Sequence, residues 1–207
     1  MRKFFGHLGL ILRHRHRVIR NGFHCGIGWH CLRHDLSKFS PSEFWPSVRH
    51  YAGNHSPVME ERLENHYFSF ICQHHTHRNK HHWEYWVDFF QGRLVVMTMP
   101  WVYATEYICD MLSASYCYDP KGFSGEKTLE YFVTRMGRNY MTEATRQYIL
   151  WGLTRFKDLG FKGLKKKDTK AKYEELTAKY PKTEILESLA TPGQLPSDAR
   201  EFIIPRN

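Results

Sequence analysis

Fourteen histidines, all lying between His7 and His82, are what most limits the architecture open to this 207-residue chain. Imidazole is only weakly basic near neutrality, and each ring nitrogen taken out of water needs a polar neighbour, a carboxylate or a metal ion. Surface histidines scatter along a sequence. Histidines confined to one part of it point to metal ligation, for which imidazole is among the commonest ligands. The five cysteines (Cys25, Cys31, Cys72, Cys109 and Cys117) do not share that role. They are odd in number, scattered and without a CxxC pair, which argues against a disulfide framework and a thiolate zinc site and favours reduced, mostly buried thiols.

With 42% hydrophobic and 25% charged residues, the chain is globular rather than disordered. Its length allows one sizeable core with an appendage. The longest apolar run, residues 94–104, contains Thr98 and Pro100 and is too short to cross a bilayer. Met1-Arg2-Lys3 followed by apolar residues faintly resembles a signal peptide, but His7 interrupts it, Arg13 to Arg17 follow, and no small-residue cleavage site appears. The expectation is a cytoplasmic protein with no membrane partner. A net charge of +9 fits an anionic ligand. Much of the excess lies in Arg13, Arg15, Arg17 and Arg20 and in the stretch 162–172, and a lysine run is more often a solvated face than a site.

Apolar spacing predicts a helix over about 3–20, with Asn21-Gly22 as its stop. A second helix spans about 25–36. Ser40-Pro41-Ser42-Glu43 reads as a capped helix start. Pro57 opens a helix that delivers His74 and His75 at its end. Residues 78–92 read as an ordered loop with a short helical turn. Pro100 starts a long helix to about 117, and further helices are expected near 127–136 and 142–159, although Gly152 weakens the last. The composition then shifts: 162–180 is basic and helical, and 191–207 is proline-rich and extended. Strand signals are sparse, with 94–98 the best. The fold class is therefore all-α, with a metal-binding domain over 1–160 and a basic, partly helical extension over 161–207.

The sharpest local signal is His34-Asp35 followed by Lys38. Adjacent helical residues point about 100° apart, so both can grip one ion only at a helix end or kink. His14 sits on the preceding helix, with His16 as the alternative first ligand, and Asp110 sits on a later one. Four N/O ligands from three helices suit a divalent transition metal better than calcium.

The order His14, then His34-Asp35-Leu36-Ser37-Lys38, then Asp110 resembles the HD superfamily of metal-dependent phosphohydrolases. More closely, the chain resembles an uncharacterised family of small phage and bacterial proteins. That resemblance rests on the block from His34 to Pro41, on His74, His75 and Arg78 to Trp86, and on Met99, Pro100, Glu106, Cys109 and Asp110; it covers about residues 10–160. It implies an HD-like helical bundle with His14, His34, Asp35 and Asp110 as ligands of one Mn, Fe, Zn, Co or Ni ion. It also implies host cytoplasm as the location if the chain is phage-encoded. HD enzymes with two metals are similar in supplying extra histidines before the last aspartate, where this chain has His74, His75, His81 and His82. These either bind a second ion, for which His81 and His82 are the candidates, or act on the substrate, as general acid or phosphate contact, the role given to His74 and His75, or else are hydrogen-bonded packing residues beside Trp83, Tyr85 and Trp86.

Lys38 is placed against a phosphate oxygen, or else caps its helix. Glu106, one turn before Asp110, orients a ligand histidine or forms a surface ion pair. Arg78, Asn79 and Lys80 are candidates to line an anion pocket, whereas Trp83, Tyr85 and Trp86 read as core. The expected function is hydrolysis of a phosphoester in a nucleotide or nucleotide-like small molecule. The alternatives are a non-catalytic module that binds a nucleotide, and a nucleic-acid-binding protein using the arginine and lysine stretches.

Overall fold

The computed structural model describes residues 1–188, so the extended segment expected at 191–207 lies outside the described residues. Nine α-helices appear there: α1 (Arg2–Cys25), α2 (Gly28–Cys31), α3 (Pro41–Arg49), α4 (Pro57–Glu64), α5 (Phe70–Thr76), α6 (Trp101–Tyr118), α7 (Gly125–Val133), α8 (Glu143–Leu159) and α9 (Lys166–Lys179). None of the described helices is long and apolar enough to cross a membrane. The core is built where α1, α6 and α8 meet, from Val18, Ile108, Leu112, Tyr148, Ile149 and Leu153 among others.

Helix α1 runs past its predicted stop because Asn21 and Gly22 serve packing instead. Asn21 Nδ2 donates to Ser113 Oγ on α6 at 3.0 Å. A Cβ on Gly22 would lie 2.5 Å from Cys31 Sγ, so the missing side chain is what lets α2 cross closely. The helix ends instead at Gly26, whose φ of 76° is the left-handed cap that glycine takes most easily. Gly152 has a similar task in α8, where an added Cβ would meet Ile108 Cδ1 at 2.4 Å.

The helix expected over 25–36 is cut short: only Gly28–Cys31 is α-helical, and a 3-10 turn follows at Leu36–Phe39. The long helix expected from Pro57 to His75 is two helices, because His66 and Tyr67 adopt positive φ between them. The all-α expectation also needs correcting for a small antiparallel sheet, β1 (Val87–Phe90), β2 (Arg93–Met97) and β3 (Thr183–Ser188), with β2 in the centre. Leu94 and Val96 alternate inward on β2, the period-2 signal of a half-buried strand. Gln91 and Gly92 both have positive φ, as a two-residue type I′ hairpin turn requires.

The basic segment beyond residue 160 shares the main core. Leu164 and Leu176 are buried in it. Tyr173 on α9 donates to Met99 O at 2.9 Å, and β3 completes the sheet. No second core marks a boundary at 160 among the described residues.

Gly22→Ala gains about 1 kcal/mol of helix propensity, yet it forces a methyl group onto Cys31, a kind of overpacking that costs about 1–3 kcal/mol. The expected outcome is a lower thermal midpoint. An unchanged or raised midpoint would show that Cys31 can step aside.

Candidate metal centre

Helix α1 puts His14 on its buried face, whereas His16 is exposed, which decides between the two alternatives. Asp35 follows His34 with φ 55°, in the left-handed region. That single turn of backbone swings the carboxylate round so that two neighbouring residues address one point. It is held by Arg15, whose Nε donates to His34 O and whose guanidinium also reaches Leu32 O, both at 2.8 Å. An arginine read only as surplus charge is therefore the clamp of the His-Asp turn. Helix α6 supplies Asp110 and, one turn earlier, Glu106.

Two groups of side chains result. His14 Nε2 lies 3.2 Å from His34 Nε2 and 2.9 Å from Asp110 Oδ1. Asp35 Oδ2 is 3.3 Å from His34 Nε2 and 3.8 Å from His14 Nε2. On the other side, Asp35 Oδ1 faces His75 Nε2 at 3.3 Å and His81 Nε2 at 3.4 Å. The potential ligand atoms of Asp35, His75, His81 and His82 all lie within 4.8 Å of one another, as do those of His14, His34 and Asp110. Asp110 also straddles the two, with Oδ2 at 3.9 Å from His81 Nε2.

A ring of carboxylates stands behind the imidazoles. His34 Nδ1 donates to Glu106 Oε1 at 2.9 Å, and His30 Nε2 donates to Glu106 Oε2 at 2.7 Å. His81 Nδ1 is 3.5 Å from the same Oε1. His75 Nδ1 donates to Glu43 Oε2 at 3.0 Å. Backing one ring nitrogen with a carboxylate fixes the tautomer and leaves the other as an oriented lone pair, the usual outer partnership of metal-bound histidine. Three inward atoms, Asp35 Oδ1, His81 Nε2 and His82 Nε2, are buried without any hydrogen-bond partner. Such orphans are costly, and a cation between them would satisfy all three. The residues present therefore fit one or two divalent transition metal ions.

Burial opposes charge throughout the cluster, and neighbours decide the outcome. For His34 the penalty is overcome by Asp35, Glu106 and Asp110, which push its pKa up to about 10. His81 is driven down to about 4, by burial and by the charge on His34. Burial also lowers His14 and His82, so these rings are neutral and able to coordinate. Asp35 is held well below the usual carboxylate range by His34 and Lys38 against the burial penalty. A hydrogen bond from His14 and the charge on His34 lower Asp110 in turn, against its own burial.

Not every expected residue joins the centre. Lys38 does, its Nζ 2.6 Å from Asp35 Oδ2, and so does His75. His74 does not: its Nδ1 donates to Glu43 at 2.6 Å and its Nε2 is 2.9 Å from Ser42 Oγ, so both nitrogens are spent away from the site. The anion pocket expected at Arg78, Asn79 and Lys80 is not formed. Arg78 and Lys80 are exposed beyond the end of α5, and Lys80 lies over the Tyr85 ring. Asn79 is a strut to Ser37 Oγ and His75 O, both at 2.8 Å. Glu43, read as part of a helix cap, is instead the partner of two histidines; Ser40 makes no cap bond, its hydroxyl bonding Ser42.

The centre forms the floor of a cleft. Two adjoining cavities of about 620 and 700 Å³ share His82, Asp110, Tyr118, Tyr131, Arg62 and Arg135 in their walls, a size ordinary for small-molecule sites. Trp83 and Trp86 pack against the core as expected, and Trp83 also lines one of the cavities.

Glu106 provides a test of the outer ring. Its pKa falls from an ordinary 4.5 to about 2, because hydrogen bonds from His30 and His34 outweigh burial. A depressed carboxylate contributes stability that is present above its unfolded pKa and lost as pH falls through the folded one. In chelator-treated protein, the stability difference between wild type and Glu106→Gln, read by urea denaturation, should therefore shrink steadily from pH 5 to pH 2. A difference that stays constant over that range would mean Glu106 is not held ionised by these rings.

A family model described as "Family of unknown function (DUF5662)" matches residues 3–152. That span contains every group of the centre, both aspartates and both outer glutamates included, and leaves out α9 and β3. No curated protein and no solved structure matches the chain. With about three-quarters of its length matched, the chain belongs to the DUF5662 family, whose function is unknown.

Proposed function

We propose that this protein is a metal-dependent phosphohydrolase of the HD type, acting on a nucleotide or nucleotide-like phosphoester. One observation carries the reading: Asp35 turns one carboxylate oxygen to each of two groups of imidazoles, three of whose rings have a buried carboxylate behind them. His14, His34, Asp35 and Asp110 would hold one Mn, Fe, Zn, Co or Ni ion, and Asp35, His75, His81 and His82 a second. Such ions lower the pKa of a bound water and polarise a phosphoryl oxygen. The ligand order along the chain is that of the HD superfamily, and this part of the case is analogy.

The protein's own groups supply the remainder. Glu106 and Glu43 hold the rings in register. Lys38 stands beside Asp35, one third exposed to the cleft, where its ammonium can donate to a phosphate oxygen and absorb charge that builds up in the transition state. Arg62 and Arg135 line both cavities and can neutralise further phosphate charge. Trp83, Tyr107 and Tyr131 offer flat apolar walls to a base. The competing reading is a module that binds a nucleotide without turnover. The Lys38–Asp35 pair favours it in one respect, since it occupies the oxygen that faces His14 and His34.

Elemental analysis of wild type beside His34→Ala/Asp35→Ala decides the first point. We expect near-stoichiometric transition metal, approaching two ions per chain, lost in the double variant. Turnover of nitrophenyl phosphoesters and nucleotides should follow the metal. No metal in either protein after reconstitution would overturn the reading, and metal without turnover would favour the binding module. Glu43→Gln should bind metal about 10–100-fold more weakly, the usual cost of losing an outer carboxylate. Unchanged affinity would remove Glu43 from the centre.

A further inference from the structure

The outward side of α1 is not the solvated face that a surface helix normally shows. Phe5, Leu12 and Phe23 recur at spacings of seven and eleven residues, which places them on one side of the helix. That side lies opposite His7, Leu10, His14 and Val18, which are buried. Phe5 is 64% exposed, and Leu12 and Phe23 are about half exposed. Gly9 lies between them with nothing within 4 Å of where its Cβ would stand.

The stripe continues onto neighbouring elements. At one end Phe4 packs edge-on against Phe5 at 5.2 Å and tilts over the exposed Trp45 at 5.8 Å. At the other, Phe23 meets Trp29, which is 79% exposed, at 5.7 Å. Between the two ends Arg15 bonds Leu32 O and lies over Phe39, and Leu32, Leu36 and Phe39 are themselves exposed. Exposed apolar side chains gathered in this way along one side of the molecule mark a site of association.

Charge says with what. Residues 1–34 contain Arg2, Lys3, Arg13, Arg15, Arg17, Arg20 and Arg33 and no aspartate or glutamate. The segment is therefore wholly cationic at neutral pH. Arg17 is covered by its stack on Tyr116, and Arg15 by its clamp on the His-Asp turn. Arg2, Arg13, Arg20 and Arg33 are exposed, whereas Lys3 reaches across to Arg49 O.

We propose that this face of α1, together with the turn from Trp29 to Phe39, docks onto an anionic lipid bilayer. Aromatic and aliphatic side chains flanked by arginines match an interface in which apolar groups enter the acyl boundary and cations meet headgroup phosphates. A second copy of the chain fits poorly, because it would bring the same cations against each other. Nucleic acid would use the arginines and stack on Trp29, but leaves Leu12, Leu32 and Leu36 without a partner. The docked chain lies on the membrane and does not span it. Because His7, Leu10, Ile11 and His14 line the cleft from the opposite side of α1, docking leaves the metal centre open to soluble substrates. The inference is independent of what the centre does.

Co-sedimentation of the full chain tests it, using vesicles of phosphatidylglycerol mixed with phosphatidylcholine beside vesicles of phosphatidylcholine alone. Binding is expected to the anionic vesicles, weakening as salt rises, and at least about tenfold weaker to the neutral ones. Phe23→Ser/Trp29→Ser should lose about tenfold or more, and Arg20→Gln/Arg33→Gln about fivefold for each cation removed. All four positions are exposed, so circular dichroism and metal content should not change. Equal binding to both vesicle types would overturn the proposal, as would no binding to either. So would retention of duplex DNA or a concentration-dependent dimer, lost in the same variants, in place of vesicle binding.

Discussion

The placement of Asp35 is the constraint on which the rest of the centre depends. A carboxylate with both oxygens buried is tolerated only where cations or donors surround it. Here the left-handed backbone at Asp35 sends Oδ2 towards His14, His34 and Lys38 and Oδ1 towards His75 and His81. One side chain thus ties α1, α5 and the loop before β1 to a single point. The backbone that allows it is held by Arg15, so the best-defined use of an arginine in this basic stretch is internal. An aspartate suits the position for a second reason, since short polar side chains visit left-handed backbone more readily than others.

Charge bookkeeping explains why the histidines are so concentrated. Asp35, Asp110, Glu106 and Glu43 are all held below the ordinary carboxylate range, and the ammonium of Lys38 beside Asp35 answers only part of that charge. A buried surplus of negative charge is expensive unless something positive joins it. Divalent cations among the imidazoles would supply what is missing without adding bulk. The outer glutamates then have two tasks, to offset charge and to aim the rings. Glu106 reaches three of the histidines and Glu43 two.

Several local signals in the sequence give way to tertiary contacts for one reason. Asn21-Gly22, Ser40 to Glu43 and Arg78 to Lys80 all carry valid local signals: a helix stop, a capping box and a basic cluster. The first was overridden by Ser113 and Cys31; the second does start α3 at Pro41, but its Glu43 side chain was taken by His74 and His75. In the third, the chain beyond α5 turns the two cations outward and uses Asn79 to brace Ser37. Local propensity is worth about a kilocalorie per mole or less, and a buried carboxylate–histidine bond outweighs it. Glu43 could have been suspected from the sequence only as an acidic residue near the histidine-rich stretch, with nothing to separate it from a cap.

What the sequence determined by itself was whatever depends on composition and short spacing. That includes the largely helical character, the helices that carry His14 and Asp110, and the proximity of His34, Asp35 and Lys38. The concentration of histidine also marked which part of the chain supplies the buried imidazole cluster. Tertiary structure alone decided which nitrogens point inward. His34 meets Glu106 across 72 residues of chain and His75 meets Glu43 across 32, separations at which no periodicity informs on approach. It also decided that Asp35 divides its oxygens between two groups, because that follows from one backbone angle. Which of His74 and His75 faces the centre was settled by rotation about a single helix end, and two adjacent identical residues cannot be told apart until the helix is packed.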